Sequence, residues 1–146
     1  MNNLDTSYLC FITSDGEKDA IEVFKKRISE NLWPIYHRTN QFRKIKKNID
    51  VIFYLAGTGV SAQNFIGVAK IKKTSEPNTN DEEESKIKFY VSFKNIKKFN
   101  NYVSVKKYLN KLEFVNNKEK YGLSFQGGVT EVDEKSFKLL SSKGLE

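Results

Sequence analysis

The sequence predicts a small α+β domain, with five or six short strands curled into a compact sheet or barrel and short helices at its ends. Three observations predict it. Short apolar and aromatic runs recur between turn-forming clusters, as in Val51-Ile52-Phe53-Tyr54-Leu55. One stretch, Ile87 to Phe93, alternates apolar with polar side chains and reads as a half-buried strand. Helical spacing of apolar residues is confined to short segments, chiefly near the two ends. At 146 residues, with no internal repeat or linker, the chain reads as one domain over residues 1–146.

Ser7 to Thr13 is short and apolar and reads as a buried first strand. Ser14, Asp15 and Gly16 supply turn and N-cap chemistry for a helix from about Glu17 to Ser29. Ala20, Ile21, Phe24 and Ile28 share one face of it, and it should stop near Asn31, ahead of Trp33-Pro34. Trp33 therefore falls outside the regular strands. A short helix over Thr39–Ile45 should precede a buried strand, Val51–Leu55. The flexible Ala56-Gly57-Thr58-Gly59 follows, and Phe65–Lys72 then forms the other arm of a hairpin. Thr74–Ser85 carries proline, asparagine and acids and reads as an exposed loop. Beyond the alternating strand, Val103–Leu109 and Lys118–Tyr121 read as helical turns. Leu112–Val115 is an apolar patch, and Asp133 caps a last helix bearing Phe137, Leu139 and Leu140.

Composition narrows the chemistry. No apolar run approaches the roughly 18 residues of a membrane span, and the N-terminus lacks a signal-peptide pattern. The expected location is cytoplasmic, with no membrane partner. A single cysteine, Cys10, excludes an internal disulfide, and its mid-strand position reads as a buried small hydrophobe. One histidine, His37, leaves too few soft ligands for zinc, so no metal or other cofactor is expected. No nucleophile–base–orienter set with fixed spacing is visible, which argues against an enzyme.

The net charge is +7, with Lys25, Lys26, Arg27, His37, Arg38, Arg43, Lys44, Lys46 and Lys47 crowded into one early stretch. Such a cluster is the footprint of a phosphate-binding surface. It is equally what a lysine-rich, AT-biased coding sequence produces.

The order of motifs resembles the EVE family of PUA-like folds. The resemblance rests on the strand ending in Thr13-Ser14, the helix, and Trp33 just past it. It continues through the basic turn Phe42–Lys47 into Asp50–Leu55, then Phe65-Ile66-Gly67-Val68-Ala69, which matches the "Phe-x-Gly-x-Ala" strand shared with YTH domains. Leu112–Val115 and Gln126–Glu131 ahead of the Phe137 helix complete it. The likeness implies a PUA-like mixed β-barrel and a non-enzymatic module that lodges one flipped, modified base. The implied partner is nucleic acid, modified DNA or RNA, with any effector activity supplied by a separate protein. The other reading is a general RNA-binding PUA-like module without selectivity for a modified base.

A base reader needs an aromatic face, polar groups for the base edge and cations for flanking phosphates. Stacking is worth about 1–3 kcal/mol per base. By the resemblance, Trp33 supplies the face, and Thr13, Ser14 and Asp15 address the base edge. Tyr54 offers another ring, though alternation leaves open whether it or Phe53 faces the pocket. Gln126, beside two glycines, is a further candidate. Lys25, Arg38, Arg43, Lys46 and Lys47 are the phosphate-contacting candidates. The YTH cage draws a second aromatic from the loop after the Phe-x-Gly-x-Ala strand. Here Thr74–Ser85 holds no ring and carries the acidic run Asp81–Glu84, so nucleic acid should approach from the opposite side.

Overall fold

The computed structural model describes residues 8–14, 16, 18–59, 61–78 and 80–146. Six strands form one sheet: β1 (Tyr8–Thr13), β2 (Trp33–Tyr36), β3 (Asp50–Leu55), β4 (Asn64–Ser75), β5 (Ile87–Ser104) and β6 (Val129–Val132). Their order is β2-β5-β4-β3-β1-β6. Three α-helices accompany them: α1 (Ala20–Glu30), α2 (Val105–Tyr108) and α3 (Glu134–Leu145). β1 and β3 run parallel in register Tyr8↔Asp50 to Thr13↔Leu55, so α1 lies in the crossover that parallel pairing requires. The remaining pairs are antiparallel.

Period-two alternation gives the sheet two apolar faces. Leu9, Phe11, Val51, Phe53 and Leu55 join Trp33, Ile66, Val91 and Phe93 under α1. Cys10, Ile12, Ile52 and Tyr54 join Phe65, Phe99, Phe125 and Leu140 on the other face, where α3 packs on β4 and β5. Adjacent residues on β3 thus go to different cores: a single step along the strand reverses the side chain.

Most of the expected elements are present with shifted bounds, and one strand, β2, is additional. α1 begins at Ala20 rather than near Glu17, with Asp19 at its N-cap in extended conformation and no side-chain cap bond. The helix ends at Asn31, which takes the left-handed conformation (φ 50°). The Asn31 amide donates to the Phe93 carbonyl at 2.9 Å and accepts from the Phe93 N–H at 2.8 Å. The end of α1 is therefore tied to β5, which aims the chain into β2. Trp33 opens that strand rather than lying outside the sheet: its partner is Val91, and Pro34 is tolerated because β2 is an edge. The helix expected over Thr39–Ile45 shortens to a 3₁₀ turn at Phe42–Lys44, and β4 continues to Ser75, into the segment expected to be loop. Tyr121–Phe125 forms another 3₁₀ turn, later than expected. Asp133 caps α3 as expected, accepting from the Ser136 N–H at 3.0 Å, and also accepts from the Phe114 N–H at 3.1 Å.

The two sheet edges approach each other through backbone. The Asn40 N–H donates to the Gly127 carbonyl and the Ile12 N–H to the Gly128 carbonyl, each at 2.9 Å. Gly127 and Gly128 have φ of +87° and +85°, and a Cβ on Gly127 would fall 2.1 Å from the Asn40 amide nitrogen. Only glycine permits both the turn and this approach. The sheet is thereby curled, with a seam between β2 and β6.

Candidate functional site

At that seam a cleft of about 220 Å³ opens between the C-terminal end of β1 and the start of β2. Thr13 and Ser14 line one side, Trp33, Pro34 and Tyr36 another, and Thr39, Gly128 and Val129 close the end. Backbone geometry places each of these. Thr13 is the last residue of β1 on the α1 face, and its hydroxyl donates to the Ala20 carbonyl at 3.3 Å. It therefore helps seat α1 as well as lining the cleft. The Tyr36 N–H donates to the Thr39 hydroxyl at 3.0 Å, which fixes the turn after β2.

Trp33 is only 2% exposed. Phe53 stacks on it with centroids 5.3 Å apart and planes at 27°, while Phe11, Phe24 and Phe93 meet it edge-on at 5.6, 6.3 and 5.9 Å. The tryptophan is thus both a core residue and part of the cleft wall. The Arg27 guanidinium lies over the same ring, 5.0 Å from its centroid. Burial holds Arg27 below its usual pKa, opposed by the neighbouring Tyr36 hydroxyl.

A second cavity, about 520 Å³, lies on the other side of the strand ends, lined by Tyr54, Gln63, Tyr121, Phe125 and Gln126 among others. It shares Ser14 and Gly128 with the small cleft. Tyr54 stacks on Phe125 with centroids 3.9 Å apart, and burial pushes its phenol up. On β3, Phe53 therefore packs on the Trp33 side, while Tyr54 faces away from Trp33 and lines the larger cavity. The Tyr121 hydroxyl donates to the Gln63 side chain, and Gln63 itself holds a left-handed backbone (φ 64°).

Of the expected base-pocket residues, Thr13, Ser14 and Trp33 come together in the small cleft. Tyr54 and Gln126 do not: both line the larger cavity, where Ser14 also contributes, and Gln126 also lines a separate groove of about 390 Å³ with Asn40 and Phe114. Asp15 lies outside the described residues. The expected phosphate contacts Lys25, Arg38, Arg43, Lys46 and Lys47 are exposed. Lys25 lies 3.8 Å from Glu22, and Arg43 sits over Phe42 at 5.5 Å with Lys88 over the same ring at 4.5 Å. Sequence reasoning placed Arg27 among the basic cluster but missed its position in the cleft, along with Tyr36, Thr39 and Gly128. Arg27 belongs to the α1 turn that packs back over Trp33, which only the angle of the helix reveals. Among the described residues no group of His, Cys, Asp or Glu is arranged to hold a metal ion, and no helix is long and apolar enough to cross a membrane.

Solved structures share this fold. Atu2648 from Agrobacterium tumefaciens superposes with a TM-score of 0.65 at 21% identity, over 95% of this chain and 93% of that one. Human THYN1, in complex with DNA containing 5-methylcytosine, gives 0.63 at 14% identity over 97% and 99%. The YTH domain of Zygosaccharomyces rouxii MRB1, in complex with N6-methyladenosine RNA, gives 0.52 at 11% identity over 97% and 85%. No curated protein sequence matches the chain. The curled six-stranded sheet with its helices is the PUA-like fold of these neighbours. The family model for the EVE domain matches residues 11–143, nearly the whole chain, and the protein belongs to the EVE domain family.

Proposed function

We propose that this chain is a single-domain, non-enzymatic nucleic-acid-binding module that takes one flipped, modified base into the cleft between Thr13–Ser14 and Trp33. The observation that carries this reading is the cleft itself. There the indole, the hydroxyl-bearing Thr13, Ser14, Tyr36 and Thr39, and the Gly128 seam line the same space. Its volume of about 220 Å³ is below the roughly 300 Å³ at which sites for drug-sized ligands begin, which suits a single ring rather than a length of chain. Family membership and the methylated nucleic acids bound by THYN1 and the MRB1 YTH domain support the same reading. Ser14 and Thr13 address the base edge, with Trp33 as the stacking plane, and Arg38, Arg43, Lys46 and Lys47 meet the flanking phosphates.

Trp33 is the single tryptophan, so its emission reports the cleft without labelling. Titration with short oligonucleotides carrying one 5-methylcytosine or one N6-methyladenine, beside unmodified controls at matched salt, is expected to perturb that emission and to favour a modified strand. Equal affinity for modified and unmodified strands with an unperturbed indole would overturn the reading. A different observation favours unselective RNA binding: Arg43 and Lys88 both lie over the half-buried Phe42 ring, a cationic and aromatic patch that a single strand can use without base readout. Tighter binding of unmodified RNA, lost on Phe42→Ala, is the signature of that alternative.

A further inference from the structure

One face of the Trp33 ring is taken by Phe53, at 5.3 Å and 27°. The Arg27 guanidinium lies over the same ring, with its carbon 5.0 Å from the centroid. Arg27 and Trp33 both line the cleft, so a base that stacks on the indole there competes with Arg27 for the ring. Arg27 has no carboxylate partner within ion-pair distance among the described residues, and Tyr36 is its neighbouring polar group. A largely covered cation without a counter-ion is held there by the ring and by the Tyr36 hydroxyl, and a cation–π contact is worth only about 0.5–2 kcal/mol. Arg27 also has somewhere to go. It lines an outer groove of about 590 Å³ on the far side of itself, together with Lys18, Glu22, Lys26, Glu30, Tyr36 and Tyr90.

We propose that Arg27 is a displaceable plug of the base cleft: it covers the Trp33 face in the free protein and, when a base enters, swings outward to pair with a phosphate flanking that base. The exchange is favourable because a guanidinium–phosphate contact is charge-assisted and bidentate, whereas the contacts given up are a cation on a ring and a hydrogen bond with the neutral Tyr36 hydroxyl. The same movement uncovers the stacking plane and creates a phosphate contact, so backbone recognition and base entry are coupled in one side chain. The inference rests on the proposed base-binding role of the cleft, but its first test does not need a ligand.

Acrylamide quenching of Trp33 in the free protein is the first measurement. Arg27→Ala keeps a strong helix former at this position and should raise the quenching constant several-fold, while Arg27→Lys should raise it less. Near-ultraviolet circular dichroism and a thermal melt confirm that both variants remain folded. An Arg27→Ala variant that is folded but no more quenchable than the parent overturns the plug, whatever the protein binds. The second measurement is binding of the modified oligonucleotide against salt. Arg27→Ala should lower the slope of log affinity on log salt by one phosphate, about 0.7 for a single strand or 0.9 for a duplex, and Arg27→Lys should retain it. Because the variant no longer has to move a plug, its affinity should equal or exceed the parent's at high salt and fall below it at low salt. An unchanged slope overturns the phosphate half. Failure of the parent protein to bind any oligonucleotide would instead strike the base-reader reading and leave the quenching result standing.

Discussion

The Trp33 ring stacks on Phe53 with centroids 5.3 Å apart, while Tyr54, the next residue along β3, stacks on Phe125 in the opposite core at 3.9 Å. One peptide unit therefore separates the floor beneath the candidate stacking plane from the floor of a second cavity. The candidate site is built on a strand whose two faces are both fully packed, which makes the support for Trp33 rigid.

That support makes Trp33 a stability residue as well as a binding one. Trp33→Ala should cost about 3–5 kcal/mol of folding free energy, in the range for large aromatic truncations in a core. Trp33→Phe keeps a ring on Phe53 and should cost markedly less while shrinking the stacking plane. Chemical denaturation checks the first quantity and oligonucleotide binding the second. If Trp33→Ala melts like the parent, the ring is not the core element described here.

Asn31 ties the end of α1 to β5 through two hydrogen bonds with Phe93, in a left-handed backbone conformation. Asn31→Gly keeps the backbone conformation and loses only the tie, whereas Asn31→Ala loses both. Removing buried partners costs about 1–3 kcal/mol, so both variants should be destabilised, with Ala the worse. Denaturant midpoints of the pair measure the two contributions separately; equal midpoints would mean that backbone conformation contributes nothing there.

Gly144, in the last turns of α3, is buried against Phe99 of β5: a Cβ there would lie 2.2 Å from the ring. Gly144→Ala should therefore destabilise by about 1–3 kcal/mol through overpacking, despite the better helix propensity of alanine. Combining it with Phe99→Leu should recover part of the loss. A double variant no better than the sum of its parts, read by thermal melts, would show that the contact is not the cause.

The Tyr90 phenol is pushed up to about 12, chiefly by burial and then by its hydrogen bond to Glu84 at 2.8 Å. Unfolded phenols titrate near about 10. Between those values the native state holds the proton that the unfolded state has released, so stability is full below pH 10 and falls as pH rises towards 12. Burial raises Tyr54 and Cys10 in the same direction, so the parent protein should weaken with alkali through all three. Tyr90→Phe should lose less stability than the parent between pH 9 and pH 11, measured by urea midpoints. An identical decline in both would remove Tyr90 from the account.

Much of the fold was legible in the residues because it is written in local periodicity. The alternation in β1, β3 and the first half of β5, the α1 stripe of Ala20, Ile21, Phe24 and Ile28, and the Asp133 cap all correspond to elements found. The bounds of α1 and the continuation of β4 to Ser75 were not legible. Exposed polar residues such as Lys72, Lys73 and Thr74 satisfy loop and strand patterns alike, and only pairing with β5 selects the strand. Likewise, nothing local distinguishes Trp33 as a strand residue, because a proline follows it and only the open edge of the sheet tolerates that.

By itself the sequence determined the family and most of the elements other than β2, and it nominated Thr13, Ser14 and Trp33, since each of these is carried by motifs a few residues long. Tertiary structure alone decided which of those residues share a cleft. It turned Tyr54 away from Trp33, sent Gln126 to the larger cavity and laid Arg27 across the indole. The physical reason is that the direction of a side chain depends on strand register and on the angle at which a helix packs. Both are settled by contacts between segments far apart in the chain, such as Asn31 with Phe93 and Asn40 with Gly127.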